Sequence, residues 1–230
     1  MTFKPRLTEF FKQYLLLILV AGMIVAVSIL HHQSFLKTLP TLISLIVQIL
    51  LVRADRKAFL LGGFNSFLYA ASYVLDGVYF SAISALVISG PIQLFSFFHW
   101  KKNSVGNKVK FKTLGKKGVL ATLGIVFLTW AGVFFGLARF FTDATYPIVD
   151  TLGFTLGILV TFLSAFRFVE SQYFSLINCI ISLTLWILIT VKNPASFNYV
   201  VISVYNLYRV IQATLHWTRQ YRADKAEQFE

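Results

Sequence analysis

The stretch "SGPIQLFSFFHWKKN", residues 89–103, decides the fold, because it places Pro, Gln, Ser, His and Trp in what otherwise resembles a membrane span. Its segment "FFHWKK" at 97–102 is echoed by "TLHWTR" at 214–219, which lies 117 positions later. Weak internal similarity of this kind is typical of membrane proteins built from repeats. The chain is therefore expected to contain two related halves.

The composition places the chain in a bilayer. Of its 230 residues, 57% are hydrophobic and only 13% are charged, with a mean hydropathy of +0.72, which is too apolar for a soluble domain. A hydrocarbon core about 30 Å thick needs roughly 20 apolar residues per helix. Eight such stretches lie at about 10–30, 36–52, 58–75, 78–100, 118–138, 146–166, 173–191 and 197–217. We predict an all-α integral membrane protein with eight transmembrane helices.

The basic residues predict an orientation. When the loops are assigned alternately to two sides, 17 of the 21 Lys and Arg fall on one side and three on the other, and Arg209 lies within the last span. Cytoplasmic loops carry the excess of basic residues. The N-terminus, the C-terminus and the Lys-rich 101–117 loop are therefore predicted to be cytoplasmic. The net charge of +12 then reflects topology, and no nucleic-acid partner is expected.

Matched residues in the two halves define a repeat. Pro40 opens the second span as Pro147 opens the sixth, and Asn65 in the third is matched by Asn178 in the seventh. The fifth span, 118–138, has no partner, so it can link two three-helix units that point the same way, as in transporters with parallel repeats. The predicted parts are an N-terminal helix (1–35), a first repeat (36–100), a basic cytoplasmic loop with the linking helix (101–138), a second repeat (139–217) and a cytoplasmic tail (218–230).

Polar residues within the spans predict the substrate path, because such side chains face the bundle interior or a wet cavity. They recur at helical spacing, for example at Asn65 and Tyr69. Amides can hold ribose-type hydroxyls, while Trp, Tyr and Phe can stack on a heteroaromatic ring. The candidate substrate-binding residues are Asn65, Tyr69, Gln93, Phe97, Trp100, Asn178, Ser182, Trp186, Asn206 and Arg209.

Each candidate also has a structural alternative. Asn, Gln and Ser often join helices in membranes, and Trp100 and Trp217 lie where interfacial anchors are common. Arg209 can pair with Asp150 or extend toward the interface. An ion-coupled carrier that uses Asp150 and Arg209, or a membrane receptor without transport, therefore also stays open.

An enzyme is not expected, and no cofactor is expected either. The sequence contains no HExxH spacing, no Ser-centred Gly motif and no P-loop, which also argues against an ATP-driven pump. Cys179 is the only cysteine, so the chain can form neither an internal disulfide nor a cysteine-based metal cluster.

Two stretches carry a family resemblance. "SGPIQLFSFFHWKKN" resembles the Pro-x-Gln and Trp-x-x-Asn signature of the PnuC family of bacterial vitamin transporters. "YPIVDTLGFTLGILVTFLSAFRFVESQYFSLINCIISLTLWI", 146–187, is similar to that family's second-half opening, with its Pro-x-x-Asp, Arg-x-x-Glu and Asn. The resemblance covers about 39–217 and marks Gln93, Trp100, Asn103 and Asn178 as family positions, with Gln93 and Asn178 as ligand contacts.

The resemblance implies a SWEET-like fold with an N-terminal helix and a 3+1+3 bundle, often assembled as a homotrimer. It implies facilitated diffusion of nicotinamide riboside or a related nucleoside or vitamin across the bacterial cytoplasmic membrane, with a cytoplasmic kinase that traps the product.

One motif departs from the family pattern. The family commonly has two Trp ahead of the Asn, whereas Ser171 and Phe174 stand at the corresponding positions here. Ring stacking can pass to Phe174, Tyr173 or Trp186, so Phe174 joins the candidate site. Nicotinamide riboside or a closely related pyridine nucleoside is the leading substrate, and thiamine, riboflavin and deoxynucleosides are the alternatives.

Overall fold

The structure, a computed structural model, describes residues 7–102, 104–105, 108–137, 140 and 144–226. Asn103, one of the family positions, lies outside the described residues. The α-helices are α1 (Leu7–Leu30), α2 (Phe35–Val52), α3 (Lys57–Leu75), α4 (Tyr79–Ile83), α5 (Gly90–Lys102), α6 (Gly115–Leu137), α7 (Pro147–Ala165), α8 (Glu170–Lys192) and α9 (Phe197–Ala226). Two-residue strands β1 (Ser104–Val105) and β2 (Lys108–Val109) pair antiparallel.

The helical membrane architecture is as predicted. Six helical segments are long and apolar enough to cross a bilayer: α2, α3, the run Tyr79–Lys102, α6, α7 and α8. In α1 the apolar part, Tyr14–Leu30, is shorter, and α9 extends over 30 residues with a mixed composition. The count of eight spans therefore depends on α1 and α9, and it stays a prediction.

The fourth span contains a π-helical segment. Tyr79–Lys102 is helical throughout, but Ser84–Ser89 forms a π-helix directly before Gly90 and Pro91. Proline lacks the N–H that would continue the α-helical ladder, and a π turn accommodates such an interruption by widening the helix. The serines at the two ends of this segment, Ser84 and Ser89, both line the cavity between the two halves.

One end of the bundle is joined by carboxylates, and we call it the carboxylate end (Lys37, Asp76, Asp150 and Ser196). Asp150 on α7 accepts hydrogen bonds from the backbone N–H groups of Phe80 (3.0 Å) and Ser81 (3.1 Å) at the start of α4. Asp76 pairs with Lys37 of α2 at 2.5 Å and accepts a bond from Ser196, directly before α9, at 3.2 Å. These contacts connect the first helix of each half to the last helix of the other.

The opposite end is closed by rings, and we call it the aromatic end (Phe59, Trp100, Phe111 and Trp217). Trp100 Nε1 donates to the carbonyl of Ser164 on α7 at 3.0 Å, and Trp217 Nε1 donates to that of Leu51 on α2 at 3.1 Å. Each tryptophan of the sequence echo thus binds the first helix of the opposite half. Both indoles are fully buried.

Candidate binding cavity

A cavity of about 360 Å³ lies between the two halves. Its walls come from α2, α3, the run Tyr79–Lys102, α7, α8 and α9, and neither α1 nor α6 contributes a described residue. This volume falls within the roughly 300–1,000 Å³ that is usual for small-molecule sites. None of the described residues that line it is charged.

Most of the predicted site residues meet at this cavity. Of the eleven candidates, the lining contains seven: Asn65, Tyr69, Gln93, Asn178, Ser182, Trp186 and Asn206. Four helices supply them, as the polar stripes of the sequence indicate. Their role as ligand contacts stays a prediction.

Four amide oxygens of the lining have no hydrogen-bond partner. They belong to Gln48 on α2, Asn65 on α3, Asn178 on α8 and Asn206 on α9, and all four atoms are buried. A buried carbonyl left without a donor costs about 1–3 kcal/mol, so most such groups in folded proteins are paired. Four of them around one cavity leave acceptors to which the hydroxyl or N–H donors of a small molecule could bind.

The amide of Asn65 is held in one orientation by its neighbours. Its Nδ2 donates to the carbonyl of Pro40 and to Ser44 Oγ, both at 3.0 Å, and the residue is 3% exposed. Because both N–H groups are thereby used, only the oxygen remains for a ligand. Ser44 also bonds the hydroxyl of Tyr69 at 2.9 Å, so Tyr69 is fixed by the same network.

Gln93 both joins helices and lines the cavity. Its Nε2 donates to Ser66 Oγ at 3.1 Å, and that hydroxyl donates to the carbonyl of Gly62 at 2.9 Å. A Cβ on Gly62 would lie 2.3 Å from Gln93 Oε1, so the glycine provides the room that this amide occupies. The two interpretations of Gln93, helix contact and ligand contact, are therefore compatible.

A cluster of rings forms the wall toward the carboxylate end. Trp186 stacks on Tyr199 with ring centroids 4.0 Å apart, and Tyr73 lies 5.6 Å from Trp186. Tyr69 continues the cluster at 5.2 Å from Tyr73. Trp186 is 3% exposed, with one face covered by Tyr199, so it forms a fixed wall of the cavity.

Three of the remaining candidates lie outside the lining. Trp100 belongs to the aromatic end. Phe97 packs against that end, and the guanidinium of Arg56 lies 5.6 Å from its ring centroid. Phe174 is buried in an apolar cluster of α6, α7 and α8 and is not part of the cavity lining.

Arg209 also lies outside the lining, and it does not pair with Asp150. Its Nη1 donates to Gln212 at 2.9 Å, and its guanidinium lies 5.0 Å from the ring centroid of Tyr205. Asp150 instead takes its donors from the start of α4, including the hydroxyl of Ser81 at 2.5 Å. Of the two alternatives for Arg209, pairing with Asp150 is not seen among the described residues, because this carboxylate is bound by donors at the start of α4.

Sequence reasoning missed part of the lining. Ser44 and Gln48 stand at i and i+4 on α2, so the spacing rule that found Asn65 and Tyr69 predicts them as well. Gly153 and Gly157 line the cavity on α7. Because glycine has no polar side chain, the pattern of polar residues does not predict these two positions.

Comparisons with known proteins agree with this architecture. A family described as "Nicotinamide mononucleotide transporter" matches residues 34–219. The fold is similar to that of the crystal structure of the vitamin B3 transporter PnuC, with a TM-score of 0.78, 18% identity and 92% of each chain covered. A search of curated proteins found no significant match. Since the family match extends over most of the sequence, the chain belongs to the nicotinamide mononucleotide transporter (PnuC) family, whose members are membrane transporters and not enzymes.

Proposed function

We propose that the protein carries nicotinamide riboside, or a closely related pyridine nucleoside, across the bacterial cytoplasmic membrane by facilitated diffusion. The observation that carries the proposal is the set of four unpartnered amide oxygens around an uncharged cavity. Ribose hydroxyls supply the donors that these oxygens lack, and carbonyl oxygens and ring faces attract a pyridinium cation. A phosphate would find no counter-charge among the described lining residues, which favours a nucleoside over a nucleotide.

A second candidate is another vitamin or nucleoside, such as thiamine, riboflavin or a deoxynucleoside. The observation that favours it lies at the two positions where the family commonly has Trp. Ser171 has no ring, and Phe174 is buried outside the cavity lining, so neither position offers a ring to the substrate.

Substrate identity is tested by native mass spectrometry of the purified protein, followed by calorimetric titration with each candidate. We expect nicotinamide riboside to bind and its 5′-phosphate not to bind. Tight binding of the phosphate, or binding of thiamine or riboflavin alone, contradicts the leading proposal.

We assign the fold to the SWEET-like type, with an N-terminal helix followed by a 3+1+3 bundle and the segment boundaries predicted above. The crossed indole hydrogen bonds support the pairing of two three-helix units. No described residue of α1 or α6 lines the cavity. This supports α1 as the extra N-terminal helix and α6 as the helix that links the two three-helix units. A homotrimer and a cytoplasmic kinase that traps the product complete the proposal.

We place the aromatic end in the cytoplasm. The end of α5, the C-terminal part of α9 and the start of α6 lie at this end, and the Lys-rich stretch 101–117 extends from the end of α5 to the start of α6. In a Cys179→Ser background, a cysteine at Lys110 should react with an impermeant thiol reagent in inside-out vesicles. Reaction from outside intact cells would show the opposite orientation.

Transport should need no energy source. Asp150 is bound to the start of α4 and Arg209 lies outside the cavity lining, so neither is placed to couple an ion to the substrate. Liposomes without ATP or an ion gradient should exchange labelled substrate. Accumulation above the external concentration that a protonophore abolishes would contradict facilitated diffusion.

A further inference from the structure

The aromatic end lies directly against the floor of the cavity. Leu51, Phe59 and Ser164 line the cavity on this side. The carbonyls of Leu51 and Ser164 accept the two indole hydrogen bonds, and Phe59 meets Trp100 edge to face with centroids 4.6 Å apart. A solute that leaves the cavity toward this end therefore meets the two buried indoles first.

Phe111 closes the layer beyond the indoles. Its ring stacks on Trp217 at 4.6 Å and meets Trp100 edge to face at 6.1 Å, and the residue is 8% exposed. It belongs to neither half, because it lies in the docked segment (residues 109–114) that leads to α6. The three rings thus bring together the first half, the second half and the connection between them.

Main-chain hydrogen bonds hold the docked segment in place. Lys112 donates from its backbone N–H to the carbonyl of Arg167 at 2.8 Å and accepts from the N–H of Val169 at 3.0 Å. Gln220 Nε2 donates to the carbonyl of Val109 at 2.9 Å. The segment therefore spans from the α7–α8 connection to α9, across the end of the bundle.

We propose that Trp100, Trp217 and Phe111 form a gate at the aromatic end, closed in this structure, and that the docked segment is its lid. The inference rests on the proposed transport function, because release at this end requires the cavity to open there. Each indole hydrogen bond crosses from one half to the other, so a movement that separates the halves breaks both bonds together. The lid has to lift Phe111 off Trp217 in the same step.

The rate at which Cys179 is chemically modified measures access to the cavity. It is the only cysteine of the chain, and it lines the cavity. A membrane-impermeant cationic methanethiosulfonate, applied to intact cells or to inside-out vesicles, reports access to the cavity from each face separately. The readout requires no substrate, so it tests the gate even if the proposed substrate is wrong.

Phe111→Ala should raise the rate of Cys179 modification by about tenfold, because it removes two ring contacts of the closed state. The acceleration should occur only from the face at which the Lys110→Cys variant in the Cys179→Ser background reacts. Phe64→Ala is the matched control, since Phe64 is 59% exposed on α3, and it should leave the rate unchanged.

Trp217→Phe is the second variant, and it keeps a ring while it removes the indole donor. We expect a rise of about two- to tenfold, as the loss of one hydrogen bond implies. Trp130→Phe is its control, because the Trp130 indole N–H has no hydrogen-bond partner. If Phe111→Ala fails to fold, as judged by its thermal midpoint, the Cys179 modification rate in Trp217→Phe tests the gate. Rates unchanged from wild type in the folded variants, or raised equally from both faces, overturn the gate.

Discussion

The carboxylate end and the aromatic end join the same two halves by different chemistry. At the carboxylate end, Asp150 accepts three hydrogen bonds and Asp76 forms an ion pair. At the aromatic end, two indole N–H groups and stacked rings make the contact. Bonds to a buried charge are strong and directional, whereas ring contacts contribute less each and tolerate sliding. Under the proposed gate, the carboxylate end is therefore the end expected to stay fixed while the aromatic end opens.

The largest effect is expected from breaking the carboxylate end. Asp150→Ala leaves two backbone N–H groups of α4 without an acceptor, and it should lower the free energy of unfolding by about 3 kcal/mol. Asp55→Ala is the matched control, because Asp55 accepts a single exposed bond from the backbone N–H of Lys57 at the start of α3, and its loss should cost about 1 kcal/mol. Chemical unfolding in detergent measures both. Equal losses would remove the distinction between the two ends.

Substitution of an unpartnered amide in the cavity between the ends should lower the affinity for substrate without lowering the stability of the protein. Asn178→Leu removes an unpartnered oxygen, so substrate affinity should fall about 5- to 150-fold while the thermal midpoint is kept. Gln93→Leu also breaks the bond to Ser66, so its midpoint should fall as well. Calorimetry alongside thermal unfolding separates the two. Unchanged affinity in Asn178→Leu would remove this residue from the binding site.

A smaller effect tests whether the two indole hydrogen bonds of the aromatic end contribute equally to stability. Trp100→Phe and Trp217→Phe each delete one hydrogen bond to the opposite half, and each should cost about 1 kcal/mol more than Trp130→Phe. Unfolding in detergent compares the three substitutions. A large difference between Trp100→Phe and Trp217→Phe would show that the two halves do not share this contact equally.

The smallest effect concerns Gly62. An alanine there displaces the end of the Gln93 side chain, which is flexible, and it gains up to about 1 kcal/mol of helix propensity. Stability should therefore change by less than about 1 kcal/mol, while affinity falls by about two- to fivefold. Thermal unfolding and calorimetry provide the two values. A large loss of stability would show that Gln93 acts as a rigid packing element.

The sequence predicts the apolar spans of this molecule and the polar residues that recur within them at helical spacing. Asn65 and Asn178 stand out as polar residues within apolar spans, and both line the cavity. It could not predict the partner of Asp150, because a backbone N–H at a helix start has no residue type to recognise. The position of Phe111 could not be predicted for a similar reason, because main-chain hydrogen bonds of its segment bring the ring to the indoles.

The main-chain docking of segment 109–114 separates the position of the segment from the charge of its surface. The contacts of Val109 and Lys112 with Gln220, Arg167 and Val169 use backbone groups of the segment, while the side chains of Lys110 and Lys112 are exposed. Substitution at either lysine leaves these bonds intact, with proline at 112 as the exception, because Lys112 donates its N–H. The bonds that hold the segment in place therefore do not depend on the charge of either lysine.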